Sequence, residues 1–261
     1  MEKYETKLYN NFDMKKYFIA YFDILGFENM VKQNNKDKDL ILLTSISDCI
    51  ENSKDIFNLF KQTNSEFEIK RKVFSDNFLF CTENDYNALI SYIAALQAAF
   101  IPYNVFIRGS LYYGDIVFNN EFVYGRGLIS AYKLENEIAI FPRILLDDTF
   151  IIGAADLDSI VYGKQISTKE VIFSLQKYFC TDFDNHKFLD YLGVMKDFKE
   201  KTTTDSDVYY FRDLLHDHGK NICNNLMSDD IKIVQKYQWC MNYHNKFCEK
   251  NGFSEYFINY E

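Results

Sequence analysis

The chain holds 261 residues, with 29 Lys and Arg against 38 Asp and Glu, and so a formal net charge of −9. Its 48% apolar and 26% charged residues are globular proportions, and 25 Phe with 20 Tyr exclude a disordered chain that cannot bury surface. The acidic excess argues against a nucleic-acid partner, which calls for a basic surface against phosphate.

Six cysteines (Cys49, Cys81, Cys180, Cys223, Cys240 and Cys248) form no C-x-x-C pair. They read as reduced, mostly buried thiols of a cytosolic protein. The polar start Met1-Glu2-Lys3-Tyr4-Glu5, with no apolar run approaching ~18 residues, predicts no signal peptide, no membrane partner and a cytoplasmic location.

In chain order, Lys16 to Leu25 (KYFIAYFDIL) is an aromatic and β-branched run, the composition of a central strand covered on both faces. It ends at Gly26-Phe27, and Glu28 to Asn34 reads as the start of a short helix. From Asp39 to Lys61 apolar residues recur at helical spacing. Glu66 to Cys81 reads as two strands around a Ser75-Asp76-Asn77 turn. A helix follows from Tyr86 to Phe100 and stops at Ile101-Pro102. Val105 to Phe118 returns to strand, Asn119-Asn120 turns, and Phe122 to Tyr124 completes a hairpin. Gly125 to Ala139 is a third helix, and Arg143 to Leu146 is apolar again.

The order βα(α)ββαββα predicts an α+β fold, one sheet with helices mostly on one face. From Asp147 onward the pattern is helical and polar, with amphipathic stretches at Val171–Phe179 and Ile231–Phe247 and loops near Lys201–Asp207. Only two prolines, Pro102 and Pro142, and ten glycines interrupt the chain, so no flexible linker stands out. The expected division is residues 1–150 as the sheet domain and 151–261 as a mainly helical extension packed on it.

Two carboxylates lie in apolar surroundings. Asp23 sits near the end of the first strand and Asp76 in the turn between two others, and adjacent strands would bring both to one end of the sheet. A carboxylate in such a run is costly unless it is paired, hydrogen-bonded or bound to a metal. Two Asp completed by water and phosphate oxygens suit Mg²⁺ in nucleotide enzymes. Equally open on these residues alone is a turn-capping Asp76 with Asp23 bonded to the next helix N-terminus. His216-Asp217-His218 lacks a third ligand at a useful spacing and reads as a solvated loop, while His186 and His244 read as structural. No G-x-x-x-x-G-K-[ST], G-x-S-x-G or H-E-x-x-H motif occurs.

Four motifs run in a telling order. Phe22-Asp23-Ile24-Leu25-Gly26-Phe27 resembles the first metal-binding motif of class III nucleotidyl cyclases, and Phe74-Ser75-Asp76-Asn77 their second metal turn. Ile107 to Asp115 (IRGSLYYGD) is similar to the strand that follows, and Tyr124 to Glu135 (YGRGLISAYKLE) to the glycine-to-helix motif after it. Together with Ala139-Ile140-Phe141-Pro142-Arg143, these resemble the bacterial pyrimidine cyclases of the Pycsar antiphage systems. Lys236-Tyr237-Gln238-Trp239 and Tyr243-His244-Asn245 are similar to the tails of that group. The likeness covers Lys16 to Arg143 well and the remainder weakly.

The resemblance implies a cyclase-like palm, a ferredoxin-like βαββαβ sheet with helices on one face. It implies conversion of UTP or CTP, with UTP preferred, to the 3′,5′-cyclic monophosphate and pyrophosphate, as second-messenger synthesis in antiphage defence. Two Mg²⁺ or Mn²⁺ ions would sit on Asp23 and Asp76 with the carbonyl of Ile24. A head-to-tail homodimer would take its metal Asp from one chain and its transition-state groups from the other.

The sequence also departs from the purine cyclases. The usual ribose-binding Asn is Ile129, and the usual phosphate-binding Arg is Lys133, which keeps the charge without the planar fork. Arg126 (catalytic) and Arg143 (substrate-binding) are the candidates to replace that fork. Lys72 falls at the base-reading position and suits a uracil carbonyl. Phe122, at the partner position, cannot accept the adenine amino group. The competing reading is a cyclase-like chain that has lost catalysis and serves as a nucleotide-binding or scaffold module; Ile129 and Lys133 favour it, and the retained Asp pair opposes it.

Overall fold

A computed structural model describes residues 13–32, 43–51, 68–201 and 205–259, with only the backbone for 199–201 and 205–210. Its strands are β1 (Met14–Ile24), β2 (Lys70–Phe74), β3 (Asn77–Thr82), β4 (Ile107–Phe118), β5 (Val123–Tyr124), β6 (Ile144–Leu146), β7 (Phe179–Thr181) and β8 (Lys187–Leu189). They form one sheet in the order β2-β3-β1-β4-β6-β8-β7, with β5 on β4. β1 is its spine, antiparallel to β3 and β4, and β6 runs parallel to β4. The run β2-β3-β1-β4 has the strand order of a ferredoxin-like βαββαβ unit, and the α+β expectation holds.

The helices are α1 (Phe27–Lys32), α2 (Tyr86–Ala99), α3 (Arg126–Lys133), α4 (Asp148–Tyr162), α5 (Thr168–Leu175), α6 (Tyr191–Lys201), α7 (Asp205–Leu226) and α8 (Ile231–Asn251). Period-two alternation along β1 explains how they distribute. Phe18, Ala20, Phe22 and Ile24 point into the main core, which draws residues from α2, α4 and α6 to α8. Within it Phe22 stacks on Phe78 and Phe80 at 5.0 and 5.7 Å, pairs worth roughly 0.5–1.5 kcal/mol each beyond their burial. Tyr17 and Ile19 point the other way, into a smaller cluster with Leu79, Cys81, Ile116 and Ala131 of α3. Helix α3 is therefore the exception to the rule of helices on one face. It can approach the sheet because Gly127 meets Gly114, where a Cβ on Gly127 would lie 2.9 Å from the Gly114 carbonyl carbon.

Several local expectations are corrected. The helix expected over Val171–Phe179 ends with α5 at Leu175, and Phe179–Thr181 becomes β7. Strands of three residues carry no readable alternation; β7 and β8 exist because they extend the sheet beyond β6. The sheet thus continues past residue 150, and one core joins both stretches of the chain. The third helix is α-helical only to Lys133 and then widens into a π-turn, Leu134–Ile138. Of the loop expected near Lys201–Asp207, residues 205–207 open α7, and 202–204 lie outside the described residues. Residues 43–51 are helical as expected; the rest of Asp39–Lys61 also lies outside, as do residues 33 and 34.

His216-Asp217-His218 is not a loop but part of α7, and His218 is fully buried. His218 and His244 form a directed chain of hydrogen bonds. The Tyr256 carbonyl can only accept, so His244 Nε2 donates to it at 2.8 Å, leaving the neutral ring's Nδ1 to accept from His218 Nδ1 at 2.9 Å. His218 Nε2 then accepts from the Tyr191 hydroxyl at 2.7 Å. A proton added to either ring would set two donors face to face or strand one in the core.

Burial holds both imidazoles below their ordinary value of 6.5, with His244 adding to the effect on His218. The unfolded chain therefore binds more protons below pH 6.5, and stability falls as the pH drops from there, by up to ~1.4 kcal/mol per pH unit per histidine. Urea midpoints between pH 7.5 and 5.0 should show this fall. A His218→Leu chain, with one group fewer to protonate, should start lower and lose less; an equal slope in both chains would remove the histidines as its cause.

Candidate active site

The alternation that sends Tyr17, Ile19 and Tyr21 toward α3 also places Asp23 on that face. In the register Asp23 lies opposite Asn77 of β3 and Arg108 of β4. The β2–β3 turn, with Ser75 at φ 57°, carries Asp76 to the same sheet end, where its carbonyl accepts from the Ile24 N–H at 3.2 Å. Asn77 Nδ2 donates to Asp76 Oδ1 at 3.1 Å, and the Tyr21 hydroxyl donates to Asn77 Oδ1 at 2.5 Å. Asp23, Ile24 and Asp76 are thus brought together.

Arg108 clamps Asp23 with both arms of its fork, Nε to Oδ1 and Nη2 to Oδ2, each at 3.0 Å. Glu135, swung inward by the π-turn and 2% exposed, puts Oε1 3.0 Å from the same Nε. That N–H is already directed at Asp23, so Oε1 has ion-pair contact but no hydrogen bond. Burial, then the neighbouring Asp23 charge, raises the Glu135 carboxyl to about 7, against the pull of Arg108. Lys236 of α8 stands near enough to feel Arg108 and Asp23, and burial followed by Arg108 lowers its ammonium. Tyr237 packs edge-on against Phe106 at 5.0 Å, which sets this turn of α8 beside the start of β4.

The other sequence candidates lie elsewhere. Lys72 on β2 donates to the Asn120 carbonyl and stands 5.9 Å from the Phe118 ring centre. Phe122 follows in the same β4–β5 turn, so these two share a neighbourhood. Arg126 and Lys133 begin and end α3, seven residues apart on one exposed stripe. Arg143 is a correction: at 1% exposure both terminal nitrogens of its guanidinium are engaged by Asp182 and Asp184, beneath Phe141 and Trp239. It anchors the β7–β8 turn to the sheet and leaves the substrate candidates.

Sequence reading missed Arg108, Glu135 and Lys236 as members of this cluster. Arg108 carried a signal, a charge in an apolar strand that needs a partner. Glu135 in a helix and Lys236 far along the chain carried none.

Among the described residues no group of three or more His, Cys, Asp or Glu is arranged to hold a metal ion. What the cluster does offer is surplus negative charge, since Asp23, Asp76 and Glu135 surround one guanidinium, and Glu135 keeps a buried oxygen without a hydrogen bond. Hard carboxylate oxygens with uncompensated charge fit a divalent cation whose remaining ligands come from phosphate and water.

No family model matches the chain, and no curated protein matches its sequence. Solved structures do overlap it. The monomeric guanylyl cyclase domain of the RhoGC fusion protein from Blastocladiella emersonii is 13% identical with a TM-score of 0.42, over 68% of this chain and 95% of that one. A dimeric form of that domain gives 9% and 0.41, over 68% and 98%. A class III adenylyl cyclase-like ATP-binding protein from Pseudomonas aeruginosa gives 15% and 0.36, over 62% and 40%. These overlaps are partial, and the chain's own residues carry the functional reading.

Arg108→Met should cost about 3–5 kcal/mol of stability, because it leaves buried carboxyls without their cation, and adding Glu135→Gln should recover part of the loss. Glu135 also gives a pH signature. Its carboxyl titrates at about 7 folded against 4.5 in the unfolded chain, so its contribution is full below 4.5 and fades as pH rises through 7. Glu135→Gln should therefore gain on the parent as the pH rises from 5 to 8, read as the difference between the two chains' urea midpoints, in which the histidine contribution common to both cancels.

Proposed function

We propose that the chain is a metal-dependent nucleotidyl cyclase acting on a pyrimidine nucleoside triphosphate, UTP ahead of CTP. The observation that carries this reading is the meeting of Asp23 and Asp76 at one sheet end, in a cluster with surplus negative charge, inside cyclase-like motifs in cyclase-like order. The Asp23 and Asp76 carboxylates, with the Ile24 carbonyl, would hold Mg²⁺ or Mn²⁺. When bound, such ions supply charge neutralisation on the triphosphate and a lowered pKa for the ribose 3′-hydroxyl.

The reaction forms a bond from the 3′-oxygen to the α-phosphorus and breaks the bond from that phosphorus to the α–β bridging oxygen, so pyrophosphate leaves with that oxygen and the hydroxyl proton passes to water. Arg108 fixes the Asp23 carboxylate in orientation. Lys72 donates to a pyrimidine carbonyl, and Phe122 beside it offers no acceptor to an amino group. Arg126 and Lys133, at the two ends of the open stripe of α3, would serve the site of a partner chain in a head-to-tail homodimer. Apolar side chains left in solvent on α3 and around it, Tyr124, Ile129 and Tyr132, with Phe74 at the β2–β3 turn, support a covered seam there. The cyclic product would be a second messenger in antiphage defence.

One observation favours a binding module without turnover: both Asp23 oxygens are engaged by Arg108, and Ile129 stands where a ribose-binding Asn is usual.

The two readings part on incubation with each of the four NTPs and Mn²⁺ and separation of the products by mass. Cyclic UMP or cyclic CMP, absent from the Asp23→Ala and Asp76→Ala chains, is the expected result. Cyclisation surviving in either variant would sink the metal assignment, and Mn²⁺-dependent nucleotide binding with no product would favour the binding module. Lys72→Met should lower kcat/KM for the preferred nucleotide about 10- to 100-fold, the worth of one hydrogen bond from a charged donor. An unchanged base preference would remove Lys72 from the site.

A further inference from the structure

A cleft of about 1080 Å³ opens between α8 and the β7–β8 hairpin, with Lys236 in its lining. We infer that it is a binding site for a long-chain organic carboxylate, an aliphatic body with an anionic head.

Helical spacing organises the cleft. Lys232, Lys236, Trp239, Tyr243, Lys246 and Lys250 all line it, and 3.6 residues per turn sets them within about 40° of one line along α8. A lysine pair stands at each end of an aromatic centre, with Lys236 and Lys246 about 15 Å apart along the axis.

The charge in the cleft is unbalanced. Four lysines line it against two acids: Asp182, which is paired with Arg143 and accepts from the Trp239 Nε1–H, and Asp190, which keeps its charge while accepting from the Tyr243 hydroxyl and the Gly193 N–H. The ion pairs of the described residues involve other cations than these four lysines. What is left over is positive, and it complements an anion.

The floor selects the body of the ligand. Trp239 is sandwiched between Phe141 and Tyr243 at 5.9 and 5.8 Å, with ring planes 14° and 13° apart, and Phe188 closes on the edges of both Trp239 and Tyr243. Both stacking partners of Trp239 come from the protein itself, and the polar tips of Trp239 and Tyr243 are bonded to Asp182 and Asp190. Ring edges pack against an aliphatic chain. A second copy of this chain, related by a twofold axis, would set one lysine stripe against the other, a like-charge penalty. Lys236 belongs both to this cleft and to the surroundings of Arg108 and Asp23, so an anion seated there is felt at the carboxylate cluster.

Trp239 is the single tryptophan of the chain and reports from the floor of the cleft. The full chain would be titrated with dodecanoate below micelle formation, following Trp fluorescence and calorimetry, with dodecanol and dodecyltrimethylammonium as uncharged and cationic counterparts. The expected result is saturable one-to-one binding of dodecanoate, at least tenfold weaker binding of the alcohol, and none of the cation. A Lys246→Gln/Lys250→Gln chain should melt with the parent and bind dodecanoate about tenfold more weakly. Equal binding of acid and alcohol, or an unchanged affinity in the lysine variant, would overturn the proposal. So would the lack of a saturable response, or self-association that shields Trp239 from acrylamide.

Discussion

The fork of Arg108 on Asp23 is the contact on which the charged end of the sheet depends. Neither group could stay where it is alone, since a carboxylate or a guanidinium moved out of water without its partner costs several kcal/mol. Together they pin β1 against β4 at the sheet end, and a register slip of one residue would turn Asp23 into the aromatic core. Glu135 then makes the cluster over-acidic. Its burial needs the π-turn after α3, and α3 needs the Gly114–Gly127 approach to reach the sheet. A surplus of negative charge is thus assembled from four elements, none of which shows it separately.

The two faces of the sheet divide the labour. The larger core, from Phe18 and Phe22 through α2 to the C-terminal helices, supplies most of the buried apolar surface. The smaller face bears α3 and the charged end and leaves apolar side chains in solvent. The C-terminal helices are tied down by polar contacts of high specificity. Arg143 locks the β7–β8 turn, and the Tyr191–His218–His244–Tyr256 chain fixes the end of the protein against α7 and α8. A helix held this firmly can present Lys236 to the cluster and a lysine stripe to the cleft.

Legibility in the sequence followed the length and periodicity of each element. The eleven-residue β1, the hairpin around Asp76 and the long apolar α2 announce themselves, because burial on a fixed face imposes a repeat. The three-residue strands β7 and β8 do not, since partner strands rather than their own pattern decide them. Arg143 is the instructive miss. Arginine next to an apolar strand looks like a free phosphate fork, and only the fold brings Asp182 and Asp184 across to consume it. His218 was misjudged for the matching reason, because the ring that makes its burial tolerable comes from another helix.

By itself, then, the sequence determined the α+β class, the helical character of the second half, and the placing of Asp23 and Asp76 at strand ends, because these follow from local spacing and the cost of burying charge. Tertiary structure alone decided which charges meet: Arg108 on Asp23, Glu135 beside them, Lys236 from a helix more than a hundred residues away in sequence, and Arg143 turned from ligand to anchor. Electrostatic partnership depends on distance in space, and no one-dimensional period encodes it.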